Sequence, residues 1–216
     1  MKRRRIEKFK AHISMKYDEK NEEHERLLEL LWKISFGAQK PFERKCKAWG
    51  KLGFQGVDPQ TDFRGAGFKG LSVLVFFAHR YGEKYRQMVA GRSKEALENY
   101  PVAIASFNVI MLLYEVMGWG MKKVQVEKSS RETLLQLLFG EDREWSFYEG
   151  RDVEGDFLFE KLFSLTFFLL DEIWLETNAN YMQFPTVLEK TSVKLQSLLS
   201  SILTTKDLDL LLQKYE

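Results

Sequence analysis

Few side chains in this sequence are of a type and spacing able to do chemistry, and the best placed of them is an arginine. Asp62-Phe63-Arg64-Gly65 sets a guanidinium two residues after a carboxylate and directly before a glycine. Arginine is always charged and offers a planar fork of donors that matches phosphate oxygens. Glycines at 65 and 67 would let the surface of another protein approach the backbone closely. The spacing alone leaves two roles open. Arg64 can pair with Asp58 or Asp62 and pin its loop, or it can act in trans on a phosphate held by another protein.

The competing constellations are weaker. Cys46, the single cysteine, lies between Lys45 and Lys47. As a nucleophile it would need a lowered thiolate pKa and a histidine brought near by the fold, so it is expected to be inert. The histidines at 12, 24 and 79 have no metal-ligand spacing, no metal site is expected, and His79 reads as structural. Glu141/Asp142 and Asp171/Glu172 are sequence neighbours that do not face each other on a helix, as solvated or ion-paired groups would be. Gly65-Ala66-Gly67-Phe68-Lys69-Gly70 spells G-x-G-x-x-G, but residues 56–64 are polar, contain Pro59 and cannot be the buried strand that a dinucleotide turn follows. Those glycines read instead as allowing tight turns and close helix approach. The aromatic and basic residues of 40–63 lack a repeated stacking pattern in a nearly neutral chain, and nucleic acid is not an expected partner.

The elements that position these residues read as helices. Leu27, Leu28, Leu31 and Ile34 give a helix up to about Ser35, and Leu71, Leu74, Val75 and Ala78 a second one stopped near Gly82. Pro101 starts a third that Gly118 ends. Ser129 with Glu132 reads as a capping box before Leu134, Leu135 and Leu138. Residues 157–176 are apolar nearly all round, as a central helix is. Leu188, Leu195, Leu198, Leu199 and Ile202 mark another, and Thr204 to Asp207 cap a short last one. No alternating strand of useful length is present, so the fold class is all-α: a single helical domain with a Gly-rich functional loop, residues 46–70, between early helices. A long stretch without periodicity inside a compact domain is often functional.

Composition agrees. The 216 residues are 44% hydrophobic, enough for one self-supporting core, and one cysteine excludes a disulfide framework. Met1-Lys2-Arg3-Arg4-Arg5 runs into charge, so no secretory leader is expected, and residue 2 is not the glycine that myristoylation needs. The most apolar stretches, 101–117 and 157–175, carry charges that a spanning helix avoids. A soluble, cytoplasmic protein is the expectation. The net charge of +2 hides asymmetry: about +5 over residues 1–10, +4 over 40–51 and −6 over 141–160. Residues 1–21 read as a basic N-terminal tail or helix extension, a solvated tail before anything else, with contact to an anionic membrane through residues 2–10 as the alternative. That contact would put the protein on the periphery of internal membranes. Residues 22–216 read as the helical domain, with 141–160 as an exposed acidic loop.

Trp49-Gly50-Lys51-Leu52-Gly53-Phe54-Gln55-Gly56, then Asp58-Pro59, then Thr61-Asp62-Phe63-Arg64-Gly65-Ala66-Gly67 resembles the signature of the ELMO (engulfment and cell motility) domain family, most closely its short single-domain members. Tyr100-Pro101 with Ile104, Ala105 and Asn108, and Trp174, also fit; the likeness covers roughly residues 27–203 and weakens after Gly118. The resemblance implies an all-helical fold and a GTPase-activating protein for Arf/Arl-family small GTPases, in which Arg64 is the essential arginine. It implies no reaction and no cofactor of the chain's own, since Mg²⁺ and GTP belong to the partner GTPase. Longer members, which carry further regions and lack the arginine, act with a Rac-type exchange factor. The alternative is accordingly a non-catalytic scaffold binding such a factor or a membrane-trafficking complex. In the activating reading Trp49, Phe54 and Phe63 anchor the loop, Pro59 stiffens it, Asp58 and Thr61 cap turns, and Gln55 and Asp62 orient Arg64 or the loop. Gly65 and Gly67 admit the partner.

Overall fold

Helix starts and stops follow local chemistry at several boundaries. The computed structural model describes residues 2–91, 99–120, 124–140, 157–202 and 204–216. Among them are nine α-helices and no strand: α1 (Lys2–Ile13), α2 (Glu22–Phe36), α3 (Gly67–Arg80), α4 (Gly82–Ala90), α5 (Val102–Val116), α6 (Lys128–Phe139), α7 (Leu158–Glu176), α8 (Phe184–Leu199) and α9 (Thr205–Gln213). The all-α expectation holds. In α2 the Asn21 side chain accepts the N–H groups of Glu23 and His24, and Glu22, Glu23 and Glu25 complement the positive end of the helix dipole. Thr204 and Asp207 form the capping box expected for α9. Pro101 precedes α5, and Gly118, at φ 83°, follows it.

Four local expectations fail, each for a physical reason. Gly82 does not end the helical run. Tyr81 alone breaks the geometry, and α4 starts at once, burying Tyr85 and Met88. Ser129 is not a cap: α6 begins at Lys128, two residues before the start a Ser129 cap would give, and the Glu127 N–H at the cap position is taken by the Gln196 side chain of α8 at 2.8 Å. The segment 46–70 is not wholly irregular; it holds 3-10 turns at Lys47–Leu52 and Pro59–Asp62, and α3 starts at Gly67. Residues 2–13 are helical, as the second of the two readings of this stretch has it, and are not a solvated tail. Their helix buries Phe9 against Trp119, Phe139 and Phe159, at centroid distances of 5.8, 5.6 and 5.2 Å, and leaves Arg3, Arg4 and Lys8 exposed. Of the acidic stretch, residues 141–156, including Glu141 and Asp142, lie outside the described residues.

The apolar helix α7 lies at the centre, against α3, α5, α8 and α9. Its Phe163, Phe167 and Phe168 surround Phe77 of α3. Of its adjacent carboxylates, Asp171 is buried and accepts from the Tyr100 hydroxyl at 2.8 Å, while Glu172 gathers Lys194, Lys214 and the Tyr215 hydroxyl. No helix of the described residues is long and apolar enough to cross a membrane.

A buried ion pair ties the start of α3 to α7. Lys69 Nζ donates to Glu160 Oε1 at 2.5 Å, with side-chain exposures of 0% and 1%. Burial pulls the Lys69 ammonium below the ordinary lysine range, and the Glu160 carboxylate opposes that pull. His12 of α1, pushed down to about 3 by burial and by the charge of Lys69, stays neutral. Removing one member of such a pair strands the other charge. Glu160→Ala should therefore cost about 3–5 kcal/mol of unfolding free energy in chemical denaturation, whereas Lys69→Met combined with Glu160→Leu should be neutral or stabilising. A Glu160→Ala chain as stable as the parent would contradict this account of the pair.

Candidate functional site

The chain from 37 to 66 joins α2 to α3 and has only two 3-10 turns of its own, so side chains must fasten it. Trp49 is fully buried, donates its indole N–H to the Glu43 carbonyl at 3.1 Å and lies 5.0 Å from the Trp32 ring of α2. Phe54 follows at 5.5 Å from Trp49, and Phe63 at 5.9 Å from Phe54. Phe107 of α5 closes the row, 5.5 Å from Phe63. Such edge-on pairs add to the area each ring buries. The loop backbone lies directly on its neighbours at two glycines. A Cβ on Gly53, at φ 88°, would stand 2.4 Å from the Val102 nitrogen, and one on Gly67, at φ 61°, would stand 2.4 Å from the Met15 carbonyl oxygen. No other residue fits either place.

The electrostatic centre of the loop is Arg44. Its Nε donates to Glu25 Oε1 of α2 at 2.9 Å, Nη1 to Asp58 Oδ1 at 2.5 Å and Nη2 to Gln60 Oε1 at 3.3 Å. The guanidinium lies over the Tyr17 ring at 5.7 Å, and the Tyr17 hydroxyl donates to Glu25. Asp58 also accepts from the Gln60 N–H at 3.0 Å, capping the turn at 59–62, and holds Lys45 at 3.2 Å. Burial raises the Asp58 carboxyl, but Arg44, the Gln60 N–H and Lys45 together outweigh it and keep the group below the ordinary carboxylate range. Pro59, buried at the first turn position, stiffens the same turn.

Arg64 stands apart from this clamp. It is exposed, its Nε donates to the Thr61 carbonyl at 2.8 Å, and its two terminal nitrogens meet no partner among the described residues. The pairing with Asp58 or Asp62 that the spacing allowed is not made; Arg44 pins the loop instead. Asp62 is half-buried and accepts the Gln55 backbone N–H at 2.8 Å. Burial raises its carboxyl against that bond and against the charge of Arg64. Gln55 thus touches the loop through its backbone and leaves its side chain outside. A Cβ on Gly65 would meet nothing within 4 Å, so the chain's own packing does not demand glycine beside Arg64. Cys46 is half-buried within this loop, with its N–H on the Val57 carbonyl at 2.9 Å. Arg44, Glu25 and Tyr17, the groups that organise the site, carry no local sequence signal, because the partners lie eight to nineteen residues apart.

A family model described as the ELMO/CED-12 family matches residues 7–188. The chain belongs to the ELMO/CED-12 family. ELMO domain-containing protein C of Dictyostelium discoideum is 31% identical over 182 residues, 84% of this chain and 27% of that protein. ELMO domain-containing protein B of the same organism is 30% identical over 180 residues, 83% of this chain and 55% of that protein. ELMO domain-containing protein 2 of Homo sapiens is 39% identical over 101 residues, 47% of this chain and 34% of that protein. The chain thus spans between about a quarter and just over half of the length of these relatives. No solved structure matches it significantly. In this ELMO-family chain the residues first singled out divide cleanly. Trp49, Phe54, Pro59 and Phe63 are beneath the loop, Asp58 and Asp62 within it, and Gln55, Arg64 and Gly65 on its outer side.

The lowered Asp58 pKa has a sign that can be worked out. A carboxyl depressed in the folded state contributes stability that is present above the unfolded value, roughly 3.9, and is lost as pH falls through the folded value. Asp58→Asn should therefore lower Tm at neutral pH, and the gap between parent and variant should close progressively as pH drops below about 4. A gap of constant size across that range, measured by calorimetry, would show that the Asp58 charge is not what Arg44 holds.

Proposed function

We propose that this ELMO-family chain is a GTPase-activating protein that inserts Arg64 in trans into the nucleotide site of an Arf/Arl-family small GTPase in its GTP form. One observation carries the reading: the only link between Arg64 and the loop is through Nε, which leaves the phosphate-binding fork open to solvent among the described residues. A guanidinium meant as a loop staple would spend its terminal nitrogens on the loop, as Arg44 does. Gly65 supports the same reading. A Cβ there would meet nothing within 4 Å, so the surface beside Arg64 is open to an approaching partner.

The chemistry asked of the arginine is electrostatic. The GTPase brings Mg²⁺, its phosphate loop and the group that orients water. During transfer, charge spreads over the γ-phosphoryl oxygens and the β–γ bridge, and an added guanidinium stabilises that charge in a site from which water is excluded. An arginine supplied in this way adds about 10³–10⁵ in rate. Lysine would keep the charge and lose the planar fork. The rigid aromatic footing matters for the same reason, since a donor that need not reorganise as charge develops is worth most.

Single-turnover GTP hydrolysis on a panel of Arf/Arl-family GTPases tests the proposal. The parent chain should accelerate at least one of them, Arg64→Lys should lose about 10³-fold of the acceleration, and Tm should be unchanged, because Arg64 makes one exposed hydrogen bond. Binding without any acceleration, indifferent to Arg64→Lys, would replace this proposal with an adaptor for a Rac-type exchange factor or a trafficking complex. A large fall in Tm in Arg64→Lys would make Arg64 a structural residue.

A further inference from the structure

We propose that Arg44 is the positioning residue for Arg64, acting through the turn at 59–62. The chain of contacts is continuous. On one side the Arg44 Nε is fixed to Glu25 of α2, and its face lies against Tyr17. On the other side, its two terminal nitrogens take Asp58, which precedes the turn, and Gln60, which is inside it. Asp58 in turn caps Gln60, and the Thr61 hydroxyl donates to the Asp58 carbonyl at 2.9 Å. The Thr61 carbonyl then accepts the Arg64 Nε–H. The orientation of one peptide group, that of Thr61, therefore sets where the Arg64 fork points, and Arg44 grips the turn that carries this peptide at two places.

Neither grip is replaceable by a point charge. Three acceptors from α2, from the residue before the turn and from the turn itself converge on one planar group, which requires the fixed fork of a guanidinium. The clamp meets the aromatic row at one point, where the Tyr17 ring beneath Arg44 lies 4.7 Å from Phe63. The rings hold the loop on the core through Phe63 at the end of the turn, whereas Arg44 grips the turn by its polar groups at Asp58 and Gln60. Functional groups need placement within a fraction of an ångström, held by neighbours whose own rotamers are locked, and Arg44, mostly buried between Tyr17, Glu25 and Asp58, is such a neighbour.

The consequence for activity rests on the proposed function, but the consequence for geometry does not, and the experiment has an arm for each. In nitrogen-15 spectra, the Arg64 Nε–H, assigned by its disappearance in Arg64→Lys, should exchange slowly with water in the parent chain. Arg44→Lys should speed that exchange by about tenfold or more, leave the amide signals of α5, α7 and α8 in place, and lower stimulated kcat about tenfold with KM little changed. Asp58→Asn, which takes the charge from the shorter of the two grips, should move the same Nε–H in the same direction and serves if Arg44→Lys does not fold. Unchanged Arg64 exchange in these variants would overturn the proposal, as would faster exchange with undiminished kcat. If the parent chain accelerates no GTPase, the functional reading fails, and the exchange arm still decides whether Arg44 positions Arg64.

Discussion

A segment with almost no helix of its own can be rigid only if its side chains reach the core, and in this chain that reach is aromatic. Trp49, Phe54 and Phe63 run from α2 to Phe107 of α5 and give residues 37–66 the footing that backbone hydrogen bonds do not supply. Everything proposed for Arg64 depends on that footing. An exposed arginine on a mobile loop would lose entropy on each encounter with a partner, whereas one on an anchored loop has lost it on folding. The backbone closes onto its neighbours at Gly53, in the middle of the loop, and at Gly67, where α3 begins.

In the same region the buried and half-buried cations are paired, and Arg64 is exposed with its terminal nitrogens unpaired among the described residues. Lys69 and Glu160 neutralise each other beneath the start of α3, and Arg44 is matched by Glu25 and Asp58 at half depth. Arg64, five residues before Lys69, has no such match among the described residues. In a chain with nearly equal numbers of acidic and basic residues, an open guanidinium on a braced loop is a feature that the fold does not need for itself.

What could be read from sequence follows from the range of each interaction. The helices α2, α5, α7 and α9 were legible because their signals are local: apolar stripes, the caps at Pro101 and Thr204, the stop at Gly118. The motif around Arg64 was legible for the same reason. Arg44 was not, since its acceptors are scattered over residues 25, 58 and 60 and only the fold collects them. The Lys69–Glu160 pair spans 91 positions and left no trace in either neighbourhood. Phe9 was hidden inside a polybasic stretch whose charge suggested a solvated tail, yet this buried ring, with Ile6 and Ile13 packed against the core, docks the helix. Ser129 misled because the cap position falls two residues earlier, at Glu127, whose N–H is held by the Gln196 side chain.

The central claim is that Arg64 engages charge present only at the transition state, and affinity for a transition-state mimic tests it most directly. An Arf/Arl-family GTPase loaded with GDP and aluminium fluoride should bind the parent chain at least about 10²-fold more tightly than the same GTPase holding a non-hydrolysable GTP analogue. Arg64→Ala should abolish that preference while leaving binding to the analogue form intact. Equal affinity of the parent chain for the two forms, or a preference that survives Arg64→Ala, would contradict the account.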